Sequence, residues 1–233
     1  MKRIPDDGMF RAAQSFSLLS AHHLLEKLKW DIDELERLRW GDNVGDTGRQ
    51  VVSYKAVDCA ATAWHLAAWF ENDLFGIEPC LRAAAYLDLE IEKGTIRFEQ
   101  GQIWNAAIEL WPDLDLCRII ASATANCQIS ADPRPEVSTN TYLAMARRGD
   151  EAHLRQVVWL AVNVNAMRFN FVDVIRGSCL FWQGLHDACW PGTDGHAKVR
   201  ELPDRLIGVP LKVSSRFVRM AREVFQQLRI RRR

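Results

Sequence analysis

Asp58 and His65 are the residues of this chain whose types and spacing come nearest to acid–base chemistry. They lie two helical turns apart in a segment with helical patterning, so they share one face of a helix. A carboxylate can orient an imidazole and raise its basicity, as in many general bases and metal-binding histidines. Two turns rise about 10 Å, however, which is too far for direct contact. The alternative is that each side chain bonds to a neighbouring helix of a bundle.

Trp64 and Trp69 lie close to His65 in the stretch AWHLAAWF. The chain has nine tryptophans, more than average composition supplies, which indicates large packing surfaces or a recognition surface. Two interpretations follow: the stretch packs as the central helix, or it lines a small-molecule pocket. Asp58, Trp64 and Trp69 are candidate binding residues, and His65 is a candidate catalytic residue.

Arg118 is the second candidate catalytic residue, in the segment DLDLCRIIASATANCQIS. The small residues that follow it would let another helix approach closely. A guanidinium in that position could hold a phosphate or a carboxylate through paired hydrogen bonds. The alternative is an ordinary surface or ion-pair arginine on an amphipathic helix.

The sequence offers little for a metal or a cofactor. His186 and Cys189 have helical i, i+3 spacing and Cys179 lies two turns before His186, but no further ligands follow at regular spacing. P-loop, dinucleotide-binding, HExxH and serine-nucleophile motifs are absent from the sequence. We therefore predict no metal and no cofactor, and we lean against an enzyme. The six cysteines are scattered, which is typical of reduced, buried thiols in a cytoplasmic protein.

The charge of the whole chain is balanced, but that of its C-terminal end is not. Thirty basic and thirty acidic residues cancel, whereas Ser214–Arg233 holds seven arginines and one glutamate. This tail could bind nucleic acid or an acidic partner, or it could be a solvated helix end favoured by the helix dipole. The candidate residues are Arg229, Arg231, Arg232 and Arg233. No apolar stretch predicts a signal peptide or a membrane span, so we expect no membrane association.

Helical periodicity accounts for most of the chain. Residues 20–39 predict a leucine-rich helix with Ser20 as its N-cap. Thr47 and Gln50 predict a capping box for a second helix that ends near Asp73. Because the second helix is apolar nearly all round over Ala56–Phe70, we expect it to be the central, most buried one. Further helices are predicted over 80–87, 102–110, 112–126 and 171–188, and from about 215 onward.

Two strands interrupt the helices, at 141–146 and 154–164, joined by the turn-forming RRGDEA. A helix over 154–164 remains an alternative, although alternation favours a strand. The apolar side of the second strand consists of Val158, Leu160, Val162 and Val164. The predicted fold is mainly α, a helical bundle with a small inserted β-hairpin at about 140–165. It forms one domain over 1–233, with a basic C-terminal helix at about 215–233.

Four segments resemble a family of uncharacterised bacterial helical proteins: HHLLEKLKWDIDELERL, AVDCAATAWHLAAWF, LDLCRIIASATANCQIS and VDVIRGSCLFWQGL. The third is similar to the Arg-x4-6-His signature of HEPN domains, helical bundles found in RNA-cleaving toxins and phage-defence proteins. In this resemblance Arg118 matches the arginine, while Ala125 and Asn126 stand at the family's Lys-His positions. Asparagine cannot take a proton during attack by an RNA 2′-hydroxyl. The resemblance thus implies a degenerate copy, unless His65 substitutes from the neighbouring helix.

Three functions follow from these residues. The first, implied by the resemblance, is a non-catalytic HEPN-like binding or interaction protein in phage defence or a toxin–antitoxin-like system. Its partner would be a protein or RNA, and self-association into a homo-oligomer stays open. The second is an RNA-directed nuclease or toxin that uses Arg118 with His65. The third is a helical bundle that binds a small molecule between Trp64, Trp69 and His65.

Overall fold

A computed structural model of the protein describes residues 18, 20–40, 45–126, 137–149, 153–164 and 167–191. Over these ranges the chain forms six helices and one three-stranded antiparallel sheet. The helices are α1 (Ala21–Arg39), α2 (Asp46–Asp73), α3 (Ile77–Tyr86), α4 (Gln102–Leu110), α5 (Asp113–Asn126) and α6 (Phe171–Cys189). The strands are β1 (Val137–Ala146), β2 (Arg155–Val164) and β3 (Met167–Asn170). The predicted mainly helical fold with a small late sheet is confirmed.

The first helix begins and packs as its sequence predicts. The Ser20 hydroxyl accepts a hydrogen bond from the His23 backbone N–H at 3.3 Å, which caps α1. The Asp73 carboxylate at the end of α2 accepts from the Ala21 N–H, so it satisfies another of the free donors at this helix start. The buried leucine and isoleucine stripe consists of Leu24, Leu25, Leu28, Ile32 and Leu35.

The start of α2 corrects one prediction. The capping box of Thr47 and Gln50 is wrong, because the helix already begins at Asp46 and both residues lie inside it. Gly45 precedes the helix in an extended conformation and has no side chain that could cap it. The Asp46 carboxylate instead pairs with Arg49 in the first turn, where a negative charge is favoured by the helix dipole. The predicted end at Asp73 is confirmed.

α2 is the centre of the bundle, as its composition predicts. It packs against α1, α4, α5 and α6, and its buried face runs from Val52 to Phe70. Trp182 of α6 stacks on Phe70, with ring centroids 5.4 Å apart. The indole N–H of Trp182 donates to the Ala63 carbonyl at 2.9 Å, so this fully buried ring fixes α6 to α2 through packing and a hydrogen bond.

The sheet confirms the two predicted strands and adds a third. β1 and β2 pair antiparallel from Val137 opposite Val164 to Ala146 opposite Arg155, so the alternative of a helix over 154–164 is wrong. The four alternating apolar residues predicted for β2 are all buried. β3 pairs with the end of β2 and leads directly into α6. Its four residues are too few to show an alternating pattern in the sequence.

The sheet is attached to the helices through β2 and β3, which contact α1, α2 and α6. β1 is therefore the outer strand. In the part of the chain that the structure describes, no helix is long and apolar enough to cross a membrane. Five of the cysteines are free and buried, and burial raises the pKa of the Cys59 and Cys117 thiols to about 12. The predicted basic helix from about 215 and Cys127 lie outside the described residues.

Candidate functional site

His65 lies on the outer side of α2. Its side chain is exposed, and its ring centroid is 5.0 Å from that of Trp64. Desolvation by the surrounding protein lowers the pKa of His65 below its ordinary value, and the positive charge of Lys27 lowers it further. An imidazole in this setting is neutral at pH 7 and can accept a hydrogen bond or a proton from a ligand.

Asp58 does not form a dyad with His65. Both side chains are exposed, and no hydrogen bond between them is recorded among the described residues. The spacing of two turns explains this, because side chains that far apart along one helix do not meet. If either residue acts on a ligand, it therefore acts without the orienting partner that the sequence pattern suggests.

The two tryptophans beside His65 pack rather than enclose a cavity. The half-buried Trp64 meets Trp104 of α4 edge to face, with centroids 6.5 Å apart. Trp69 packs against the hydrophobic core. A pocket of about 210 Å³ lies elsewhere, between the outer strand β1 and α2, and its lining includes Ser53, Thr139 and Thr141. His65 is not part of that lining.

Arg118 is half-buried on α5 and forms an ion pair within its own helix. Its Nε donates to the Asp115 carboxylate at 2.8 Å. Its Nη2 is buried and has no hydrogen-bond partner among the described residues. No contact with His65 is recorded there either. The guanidinium thus keeps one unsatisfied donor, but the two candidate catalytic residues do not form a common site in this arrangement.

The structure brings together an ionic cluster that the sequence does not predict. Glu36 near the end of α1 accepts a hydrogen bond from Arg39 at 2.9 Å and forms an ion pair with Arg176 of α6 at 3.1 Å. The Nε of the buried Arg39 also donates to the Val158 carbonyl of β2 at 3.0 Å. This cluster therefore connects α1, α6 and the sheet. Sequence patterns miss it because its members come from three distant segments.

Asp173 at the start of α6 borders the same cluster, and Asp113 at the start of α5 interacts in turn with Asp173. Burial, and then the negative charge of Asp173, raises the pKa of Asp113 to about 7. Burial also raises the pKa of Asp173, although a hydrogen bond from Asn170 and the charge of Arg176 oppose the rise. Perturbed carboxyls mark active sites in some proteins and structural ion networks in others. Here Asp113 and Asp173 stand at helix starts, and Asp173 feels the charges of Arg176 and Arg39, which favours a structural role.

A second buried network has a clear structural role. Asp31 of α1, 1% exposed, accepts hydrogen bonds from Lys27 at 2.5 Å and from Lys55 of α2 at 2.6 Å. Lys27 also donates to the Thr62 hydroxyl at 2.9 Å. Lys55 lies 4.4 Å from the centroid of the Trp30 ring. These contacts connect α1 to α2 and satisfy a carboxylate that would otherwise be buried without a partner.

Two apolar surfaces are exposed. One is a patch around the α2–α3 turn, where the Gly76 N–H donates to the Ile96 carbonyl and so holds Ile96 beside Phe75 and Ile77. The other is the outer strand β1, whose Tyr142, Leu143 and Met145 are 38%, 41% and 61% exposed. Exposed apolar surfaces of this kind mark contact sites for other molecules.

Over the described ranges, no three histidine, cysteine or acidic residues lie close enough to hold a metal ion. The four arginines of the basic tail, Arg229, Arg231, Arg232 and Arg233, lie outside those ranges. No family model, no curated protein and no solved structure matches this chain. The function therefore has to be argued from the residues and their geometry.

Proposed function

We propose that this protein is a non-catalytic, HEPN-like interaction protein that binds a protein partner through the free edge of β1. The observation that carries the proposal is the strand itself. It is ten residues long, and among the described residues it pairs on one side only, with β2. The backbone N–H and C=O groups on its other side can pair with an incoming strand.

The sequence of β1 lacks the features by which folded proteins prevent an exposed edge strand from pairing. Folded proteins protect exposed sheet edges with charged residues, proline or short strands. VSTNTYLAMA contains no charge and no proline. Backbone pairing would supply affinity, and the exposed Tyr142, Leu143 and Met145 would supply contacts for the partner's side chains.

Among the described residues, Arg118 and His65 do not pair with each other, which supports the non-catalytic part of the proposal. Arg118 is bound by Asp115 of its own helix, and His65 faces solvent. At the histidine position of the resembling family the chain has Asn126, whose amide cannot titrate.

A crosslinking experiment tests the interaction. A photo-reactive amino acid at Thr141 on β1 should crosslink a protein in cells that express the chain at native levels. The crosslinked site should map to β1 by mass spectrometry. The variant L143K/M145K should lose the crosslink, and a photo-reactive residue at Glu92, exposed outside the sheet, serves as the control. If position 141 crosslinks no more than position 92, the proposal is wrong.

A second experiment tests the non-catalytic claim against the nuclease alternative. Purified protein should leave structured and single-stranded RNA intact under conditions in which a control ribonuclease degrades both. The alternative predicts cleavage that His65→Ala and Arg118→Ala each abolish without a change in thermal stability. That result would replace the interaction proposal with a nuclease.

A further inference from the structure

We infer that the strand which pairs with β1 is β1 of a second copy of this chain, antiparallel, about a two-fold axis at Ala144. The inference rests on the proposed function and names its partner. Two-fold symmetry requires a surface that is complementary to itself. β1 meets this requirement in its side chains, its charge and its surroundings.

The side chains of β1 are self-complementary about Ala144. Leu143 and Met145 flank it and lie on the same face of the strand, because residues two apart share a face. A two-fold axis at Ala144 places Leu143 of one copy directly opposite Met145 of the other, and the reverse. Directly opposed side chains are the closest contacts in a sheet. One register thus covers both exposed apolar side chains of each copy.

The same register brings Tyr142 of each copy opposite Ala146 of the other, on the second face of the sheet. Tyr142 already lies directly opposite Trp159 of β2 in the monomer, and both are 38% exposed. The small Ala146 leaves space for the tyrosine ring to extend over the partner strand. The residues of the two β1 strands that meet are therefore apolar on both faces, and the Arg168 guanidinium, 5.2 Å from the centroid of the Tyr142 ring, borders the tyrosine contact.

The charges nearest the axis do not oppose the pairing. β1 itself is uncharged, and the next charged residues along the chain are Arg147 and Arg148. In this register they stand opposite Thr141 and Asn140 of the second copy, which are neutral. No pair of like charges is brought face to face, so the usual cost of pairing a charged edge with itself is absent.

The helices leave room for a second strand. Their main contacts with the sheet are to β2 and β3. An incoming strand lies on the side of β1 away from β2, and so away from the helices that cover β2. The product is one continuous six-stranded antiparallel sheet.

Cysteine crosslinking tests the register. Directly opposed residues of antiparallel strands have Cα atoms about 4.5–5.5 Å apart, within the range that a disulfide spans. Purified Ala144→Cys should therefore form a covalent dimer on mild oxidation, at least tenfold more than wild type. Thr139→Cys is the matched control, because its two copies would lie about 33 Å apart along the strands. The five native cysteines in the described ranges are buried, and wild type measures any background from the rest.

Sedimentation equilibrium tests the dimer itself. Wild type should be dimeric at micromolar concentration, and L143K/M145K should be monomeric, with the thermal midpoint that wild type shows when it is dilute enough to be monomeric. A monomeric wild type, or a dimer in which Ala144→Cys crosslinks no better than Thr139→Cys, would overturn the inference. If wild type is monomeric but position 141 still crosslinks another protein in cells, the proposed function holds and only the identity of the partner is wrong. If neither occurs, both fail.

Discussion

Leu66 in α2 and Leu143 in β1 are the same side chain in two contrasting parts of the molecule. Leu66 is fully buried at the centre of the helical body, whereas Leu143 is 41% exposed on the outer strand. The body likewise pairs its buried charges, as Asp31 does with two lysines. The contrast teaches that the stability of this fold lies in the helices, while β1 keeps its apolar side chains available for contact.

The largest expected effect is the difference in stability lost when each of the two leucines is replaced by alanine. Leu66→Ala should lower the free energy of unfolding by about 2–5 kcal/mol, because it leaves a cavity in a packed core. Leu143→Ala should cost less than about 1 kcal/mol in the monomer, since much of the side chain is already in solvent. Urea unfolding at a protein concentration low enough to keep the chain monomeric measures both. Equal losses would show that β1 belongs to the stable body.

The next effect concerns two aspartates. Asp31→Asn should cost about 2 kcal/mol, because it weakens charge-assisted hydrogen bonds from Lys27 and Lys55 inside the body. Asp58→Asn is the matched control on the exposed side of α2 and should change stability by less than about 0.5 kcal/mol. The measurement is again urea unfolding. If Asp58→Asn lowers the free energy of unfolding as much as Asp31→Asn, Asp58 has a buried partner. It would then again be a candidate for orienting another side chain.

A smaller effect should appear in the pH dependence of stability. The pKa of Asp113 is about 7 in the folded protein, against an ordinary value of 3.8, so between these values the folded state holds a proton that the unfolded chain has released. The contribution of Asp113 to the free energy of unfolding should therefore be largest below about pH 4 and should fall as pH rises to 7. Asp173, whose pKa is also raised, contributes with the same sign.

Asp113→Asn removes this titration and tests the sign. The free energy of unfolding of the variant, relative to that of wild type, should rise as pH increases from 4.5 to 7, by about 1 kcal/mol for each pH unit. The comparison between variant and wild type cancels the contributions of titrating groups that do not interact with Asp113. A variant whose free energy of unfolding instead falls relative to wild type with rising pH would mean that Asp113 is ionised in the folded protein.

The parts of the fold that could be predicted are those whose pattern is local. The leucine stripe of α1 and the alternation in β2 each identify an element and its buried side within a few residues. The side of α2 on which His65 lies could not be identified in this way. Ala61 and Ala68 make its outer face look as apolar as its inner one, and alanine is tolerated both in a core and in solvent.

The candidate site could be predicted less well, for a related reason. The Glu36 cluster and the pairing of Asp31 depend on which helices meet, and no spacing within one helix encodes that. The exposure of Leu143 and Met145 is also a property of position. Their alternation is that of a strand with one buried face, yet their end of β1 extends beyond the helices that cover β2.

The smallest expected effects concern two helix caps. Ser20 caps α1, whereas Thr47, which the sequence predicts as a cap, lies inside α2. Ser20→Ala should cost about 1 kcal/mol, because it removes the acceptor for the His23 N–H at the start of α1. Thr47→Ala should be neutral or slightly stabilising, because Thr47 lies inside α2, where alanine has the higher helix propensity. Thermal unfolding of both variants separates the two outcomes. A loss at Thr47 equal to that at Ser20 would mean that α2 begins two residues later in solution, with Thr47 as its N-cap.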